Sequence, residues 1–90
     1  AEAAAQATAR HELGHRMHMR APWYIQTQVD LSFAKATPIT KYGASNSQEW
    51  FAESYAMYRE MPDALKLHDP EGFRIVRYVL DHWGIQHGTP

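Results

Sequence analysis

Three prolines limit where this chain can form helices, because proline lacks a backbone N–H and disfavours helix in the residue before it. Residues 2–20 are rich in Ala, Arg, Met, Leu and Glu, which favour helix, and Pro22 ends that segment. Pro62 ends a second predicted helix over residues 47–61. Pro70 begins a third helix, since proline is favoured at the first helical position. The chain is therefore predicted to be mainly α-helical, with a three-helix core.

Residues 23–36, WYIQTQVDLSFAKA, fit two different structures. The residues at every second position from Ile25 to Phe33 alternate with polar residues, as in a half-buried strand. Ile25, Val29 and Phe33 are also spaced by four, as on one face of a helix. The pattern leaves both helix and strand open for this segment.

Ninety residues are enough for one small domain, so we expect a single domain over residues 1–90. A short helical turn is expected at residues 63–67, followed by a C-terminal packing helix over residues 70–84. The sequence opens within a predicted helix, without a capping residue. We therefore expect a fragment of a larger protein, with other domains of the parent chain as partners.

The composition argues against several classes of function. A net charge of −1, with acidic and basic residues mixed, gives no electrostatic footprint for nucleic acid. Arg10, Arg16 and Arg20 are scattered around the first helix and are expected to be solvated. There is no long apolar run, no Lys/Arg-rich amphipathic helix and no signal-peptide pattern at the start. We therefore expect neither a nucleic-acid nor a membrane partner, and the compartment stays undefined.

The stretch ARHELGHRMH, residues 9–18, gives His11, Glu12 and His15 the spacing His-Glu-x-x-His. On a helix the two imidazoles lie on one face, roughly 6 Å apart along the axis, and can share one zinc ion. Glu12 projects about 100° around the helix from His11, where a carboxylate can take a proton from an activated water. Because the chain has no cysteine, His, Asp or Glu must complete any zinc site.

A catalytic zinc site needs a third protein ligand and an open position for water. His18 lies roughly 10 Å along the axis from His11, too far for three side chains of one straight helix to converge, so we expect it at the rim or behind the ligands. Glu49 is the better candidate, because Glu49 and Glu53 are four apart on the second helix, with alanines on the same stripe. Small residues let helices approach closely. Glu49 can then reach the metal while Glu53 accepts a hydrogen bond from the free nitrogen of a ligating histidine.

HELGH followed by ITKYGASNSQEWFAESYAMY resembles the zinc-metallopeptidase domain of anthrax-lethal-factor-like proteins, a gluzincin-type group of zincins. That group has an HExxH helix, then a tyrosine, then a glutamate in a phrase similar to this one. The resemblance covers residues 9–61. It implies a zincin-like catalytic core over residues 2–61, a Zn²⁺ cofactor and a peptide or protein substrate.

The resemblance also implies a role for each matching side chain. The zinc ligands it implies are His11, His15 and Glu49. It makes Glu12 the general base and Tyr42 a hydroxyl donor near the metal. Glu53 falls behind the ligands.

Two classes of function are consistent with this pattern. The first is a zinc-dependent endopeptidase, in which a zinc-activated water attacks the peptide bond and Glu12 is the base. The second is a non-catalytic, metal-stapled helical module within a larger toxin or phage-type structural protein. Glu12 favours the enzyme, because a structural zinc site needs no base and usually closes its fourth position with a protein ligand.

Overall fold

The computed structural model describes residues 2–84, and five α-helices account for most of that range. They are α1 (Glu2–Arg20), α2 (Trp23–Phe33), α3 (Ser47–Glu60), α4 (Pro62–His68) and α5 (Pro70–Val79), the last continued by a π-helical turn, Leu80–Gly84. No strand forms between residues 2 and 84. The predicted class, mainly α, is confirmed. Besides the three predicted helices, residues 23–33, which the pattern left open, fold as a helix, and the short helical turn expected at residues 63–67 lies within α4.

Helix α2 settles the segment that fitted both a helix and a strand. Ile25 and Val29, four residues apart, are buried in the core. Leu31, which an alternating strand would place on the same face, is 57% exposed. Burial of the residues spaced by four selects the helix, since only a helical backbone brings them to one face.

Helices α1 and α3 pack closely at a point where both carry small residues. A Cβ atom added to Gly14 would lie 3.0 Å from the Cα of Ala52 and 3.1 Å from the Cβ of Tyr55. Both are nearer than ordinary van der Waals contact, which begins at about 3.4 Å. Ala52 and Ala56 are buried, as expected for a stripe that faces a neighbouring helix. The histidine face of α1 is therefore held against the glutamate face of α3.

The buried carboxylate of Asp69 connects the other elements. Asp69 Oδ1 accepts hydrogen bonds from the backbone N–H of Gly72, at the start of α5, and from that of Thr37 in the loop before α3. Its Oδ2 accepts from Trp50 Nε1 in α3 at 2.8 Å. Because one side chain bonds to α3, α5 and the loop, it fixes the segment that carries the predicted tyrosine.

A single apolar core lies between α1, α2, α3 and α5. Its buried members are Met17, Ala21, Ile25, Val29, Trp50, Phe51, Tyr55, Ile75, Val76 and Val79. Within residues 2–84, none of the helices combines the length and the apolar character that crossing a bilayer requires.

Candidate metal centre

Helix α1 presents two imidazoles side by side towards α3. His11 Nε2 and His15 Nε2 are 3.0 Å apart, and the two rings meet edge to face with centroids 4.7 Å apart. Both side chains are half-buried. The four-residue spacing places both rings on the same helix face, as the sequence predicts.

Glu49 reaches this pair from the first turn of α3. Its Oε1 lies 3.1 Å from His11 Nε2, and its Oε2 lies 3.0 Å from His15 Nε2. The position of Glu49 is set by the start of its helix, because Asn46 caps α3 by accepting a hydrogen bond from the backbone N–H of Glu49 at 2.8 Å. The structure therefore brings His11, His15 and Glu49 together in one cluster.

These three residues could hold a metal ion. Among the described residues, His11, His15 and Glu49 form the one group of His, Cys, Asp or Glu whose ligand atoms all lie within 4.8 Å of one another. Two ligand atoms bound to a tetrahedral ion at about 2.0–2.1 Å are about 3.3 Å apart, close to the separations seen here. A set of two imidazoles and one carboxylate suits zinc.

The hydrogen bonding of His11 also points to a cation. Its Nδ1 lies 2.7 Å from Glu53 Oε2, so in the neutral ring the proton is on Nδ1 and donates to that carboxylate. Nε2 then carries a lone pair that faces an oxygen of Glu49, which is also an acceptor. A positive ion between these atoms resolves the contact, because it attracts both.

Glu53 contacts the ring nitrogen of His11 that does not face Glu49. Its second oxygen, Oε1, accepts a hydrogen bond from Thr40 Oγ1 at 3.0 Å. Thr40 Oγ1 in turn accepts from the backbone N–H of Gly43 at 2.9 Å. Thr40 is a supporting residue that the sequence analysis missed, and its position two residues before the predicted tyrosine is the one signal that could have drawn attention to it.

The candidate base, Glu12, is exposed beside the metal centre rather than within it. It makes no hydrogen bond or ion pair with the part of the chain that the structure describes. It lines two cavities, one of about 350 Å³ next to His11 and one of about 420 Å³ next to His15. A carboxylate so placed is free to contact a water or a substrate in either cavity.

Tyr42 lines the cavity beside His11 and is 62% exposed. Its ring lies over that of His11, with centroids 5.7 Å apart and a tilt of 34° between the planes. Its hydroxyl has no hydrogen-bond partner among residues 8–83. Thr8, Glu12 and Glu53 complete the lining of this cavity, so Tyr42 and the candidate base share one space.

His18 is not at the rim of the site. It is only 5% exposed, and its ring packs against Phe51 with centroids 5.5 Å apart. Burial lowers the pKa of His18, partly opposed by the negative charge of Asp30. His18 does not belong to the metal-binding group, as its distance along the helix predicts. Of the two positions expected for His18, the rim is therefore wrong, because His18 and Met17 lie on the side of α1 that faces the core.

No family model, no curated protein and no solved structure gives a match to this chain. The likeness to the lethal-factor-like zincins therefore stays a prediction from the motif.

Proposed function

We propose that this chain is the zinc-binding core of an endopeptidase that hydrolyses peptide bonds. The observation that carries the proposal is that His11, His15 and Glu49 converge next to Glu12, an exposed carboxylate with no partner among the side chains of residues 8–83. Two imidazoles, one carboxylate ligand and a free carboxylate beside them match the requirements of a hydrolytic zinc site.

In this proposal each residue has one task. His11, His15 and Glu49 hold the ion, which when bound supplies a Lewis acid that activates water and polarises a carbonyl. Glu12 takes the proton of the attacking water and passes it to the leaving amine. Tyr42, which lines the cavity beside His11, donates a hydrogen bond to the oxygen on which negative charge develops.

Glu53 orients the site rather than reacting. Its hydrogen bond from His11 Nδ1 fixes the tautomer in which Nε2 is free to bind an ion. Thr40 restrains the Glu53 carboxylate from the opposite side. The cavities on both sides of Glu12 support an open site, because a peptide must extend in both directions from the bond that is cut.

A second candidate function is a metal staple without catalysis. It is favoured by the origin of the ligands, because two come from α1 and one from α3, so that an ion would connect the two helices. Such a site usually has four protein ligands. Among the described residues the group contains three, which favours the endopeptidase.

The test is a Glu12→Gln variant of the zinc-loaded protein, assayed against a library of mixed peptides. We expect the parent to cleave and a chelator to abolish cleavage. The variant should bind zinc as tightly as the parent but cleave at least 10²-fold more slowly, the usual contribution of a general base, roughly 10²–10⁴-fold. Glu60→Gln is the matched control, since Glu60 lies on α3 and pairs with Arg10 rather than with the cluster.

The outcomes separate the two candidates. Cleavage by the Glu12→Gln variant at the rate of the Glu60→Gln control would show that Glu12 is not the base. One zinc per chain with no cleavage by any of the proteins would support the metal staple instead.

A further inference from the structure

The cavity beside His15 is lined by two arginines to which the proposed function gives no role. It measures about 420 Å³ and is lined by Glu12, His15, Arg16, Met19 and Arg20. A volume of this size is within the range of ligand-binding pockets, roughly 300–1,000 Å³. It adjoins a candidate metal ligand and the candidate base at once, so whatever occupies it is close to the bond that the proposed endopeptidase would cut.

Two arginines give this cavity its charge. Arg16 and Arg20 are four residues apart on α1 and therefore project from the same side of the helix, so the expectation that they are scattered around it is wrong for this pair. Neither forms an ion pair or a hydrogen bond with any of residues 8–83, the range in which the structure describes side chains. In particular, Glu12 lies four residues before Arg16, at ion-pair spacing, yet no ion pair joins them in this range.

Arg16 and Arg20 differ from the other arginines in lining one cavity together. Arg77 is also without a partner among the side chains that the structure describes, whereas Arg10 and Arg74 are paired with carboxylates. Arg10 Nη1 lies 3.0 Å from Glu60 Oε1, and Arg74 Nη2 lies 2.8 Å from Glu71 Oε2. A guanidinium prefers a carboxylate that it can contact with two parallel N–H groups. Arg16 and Arg20 lie at one cavity, and no carboxylate among the described side chains is bound to either. Together they can therefore bind a carboxylate of another molecule.

The apolar wall of the cavity indicates that the carboxylate belongs to a peptide. Met19 is 72% exposed and lines the same space as the two arginines. Its flexible side chain can contact the methylene groups of an Asp or Glu side chain, or the last residues of a peptide. A bare inorganic anion has no group that would use this wall.

We infer that the cavity lined by Arg16, Met19 and Arg20 binds a carboxylate of the peptide substrate, next to the bond that is cut. The inference rests on the proposed endopeptidase and names its substrate class, a peptide with an acidic group close to the cleavage site. The carboxylate belongs either to an Asp or Glu side chain or to the free C-terminus of a peptide.

The experiment compares quenched fluorescent peptides of one length with the zinc-loaded protein. One series carries Glu, Gln or Lys at each position around the bond and has an amidated C-terminus. A second series carries Gln throughout and ends in a free carboxylate at increasing distance from the bond. We expect kcat/KM to be about twofold to fivefold higher with the carboxylate than without it, as for solvent-exposed charge pairs. The series that shows the preference identifies its source.

A double variant, Arg16→Gln with Arg20→Gln, tests whether these residues cause the preference. Its loss of kcat/KM for the acidic peptide should be about twofold to fivefold larger than its loss for the Gln peptide. Arg77→Gln is the matched control, because Arg77 is an exposed arginine on α5 that does not line this cavity. The preference of the parent should also shrink between 50 mM and 500 mM salt, since salt screens exposed charges.

A binding measurement separates this inference from the proposed function. Fluorescence anisotropy of the same labelled peptides is followed with the zinc-loaded Glu12→Gln variant, which should not cut them. Cleavage without any acidic preference, or a preference that the double variant retains, overturns the inference and leaves the endopeptidase intact. If no peptide is cut but the acidic peptide binds more tightly, and the two arginines are needed for this, the cavity is a carboxylate site and the endopeptidase is wrong.

Discussion

Glu53 should control much of the zinc affinity although it is not a ligand. His11 Nδ1 lies 2.7 Å from Glu53 Oε2, and Thr40 Oγ1 holds the other oxygen at 3.0 Å. A carboxylate in this position fixes the ring and raises the basicity of the nitrogen that binds the ion. Loss of such a partner typically weakens metal binding by about 10- to 100-fold.

Two substitutions divide this effect into charge and orientation. Glu53→Gln keeps the length of the side chain and one acceptor oxygen for His11 but removes the charge, so we expect about a tenfold loss of affinity, near the lower end of the range. Glu53→Ala also frees the ring to rotate, so we expect about a hundredfold loss. These losses correspond to about 1.4 and about 2.8 kcal/mol of binding free energy.

Competition with a chromophoric chelator measures the Kd, and thermal unfolding gives a second readout. At free zinc 100 times the parent's Kd, the ion stabilises the parent by about 2.7 kcal/mol, the Gln variant by about 1.4 kcal/mol and the Ala variant by about 0.4 kcal/mol. For a domain of this size each kcal/mol raises Tm by about 4–8 °C. The increase in Tm on adding zinc should therefore fall in that order.

Glu60→Gln is the control for this series. Glu60 also joins α3 to α1, through its 3.0 Å contact with Arg10, but it does not contact either histidine of the cluster. Its zinc affinity should equal that of the parent. If both Glu53 variants bind zinc as tightly as Glu60→Gln, the carboxylate does not orient His11 and this account of the hydrogen bond is wrong.

Three further changes test the fold and its buried groups. Gly14→Ala places a methyl group 3.0 Å from the Cα of Ala52, so we expect urea unfolding to show a loss of about 1–3 kcal/mol; a variant as stable as the parent would show that the helices do not need this close approach. Asp69→Ala leaves the buried Trp50 Nε1–H and two backbone N–H groups without their acceptor, and should cost about 3 kcal/mol or more; a loss below about 1 kcal/mol would contradict its connecting role. Burial lowers the pKa of His18, so the unfolded chain takes up a proton at this residue at a higher pH than the folded chain does. The free energy of unfolding of the parent should therefore decrease as the pH falls below about 6.5. A His18→Leu variant should lose less over the same interval, and parallel stability–pH curves for the two proteins would refute this.

The helix ends could be predicted where the signal is local. Pro22 and Pro62 act on their own backbone neighbours, and Asn46 caps α3 through a residue three positions on. The structure of residues 23–36 could not be predicted in the same way. An alternating pattern and a four-residue pattern coexist there, and packing of Ile25 and Val29 into the shared core decides between them.

Part of the candidate site could also be predicted from residues close in sequence, and part could not. Helical spacing predicts that His11 and His15 share a face, and the alanine stripe around Glu49 predicts the close approach of the second helix. The role of Thr40 depends on how the loop before α3 folds back onto Glu53, and no spacing rule describes that contact. Arg16 and Arg20 line one cavity because of the shape of the surface around α1, and the sequence alone does not show that shape.

Every role proposed for this site depends on one ion binding His11, His15 and Glu49 together. A crystal structure of the zinc-loaded protein would show whether it does. We predict one zinc per chain, with both imidazole Nε2 atoms at about 2.0–2.1 Å, one oxygen of Glu49 at about 2.0–2.2 Å and a remaining position open to water. Zinc bound elsewhere, or bound to the two histidines with Glu49 turned away, would contradict the account.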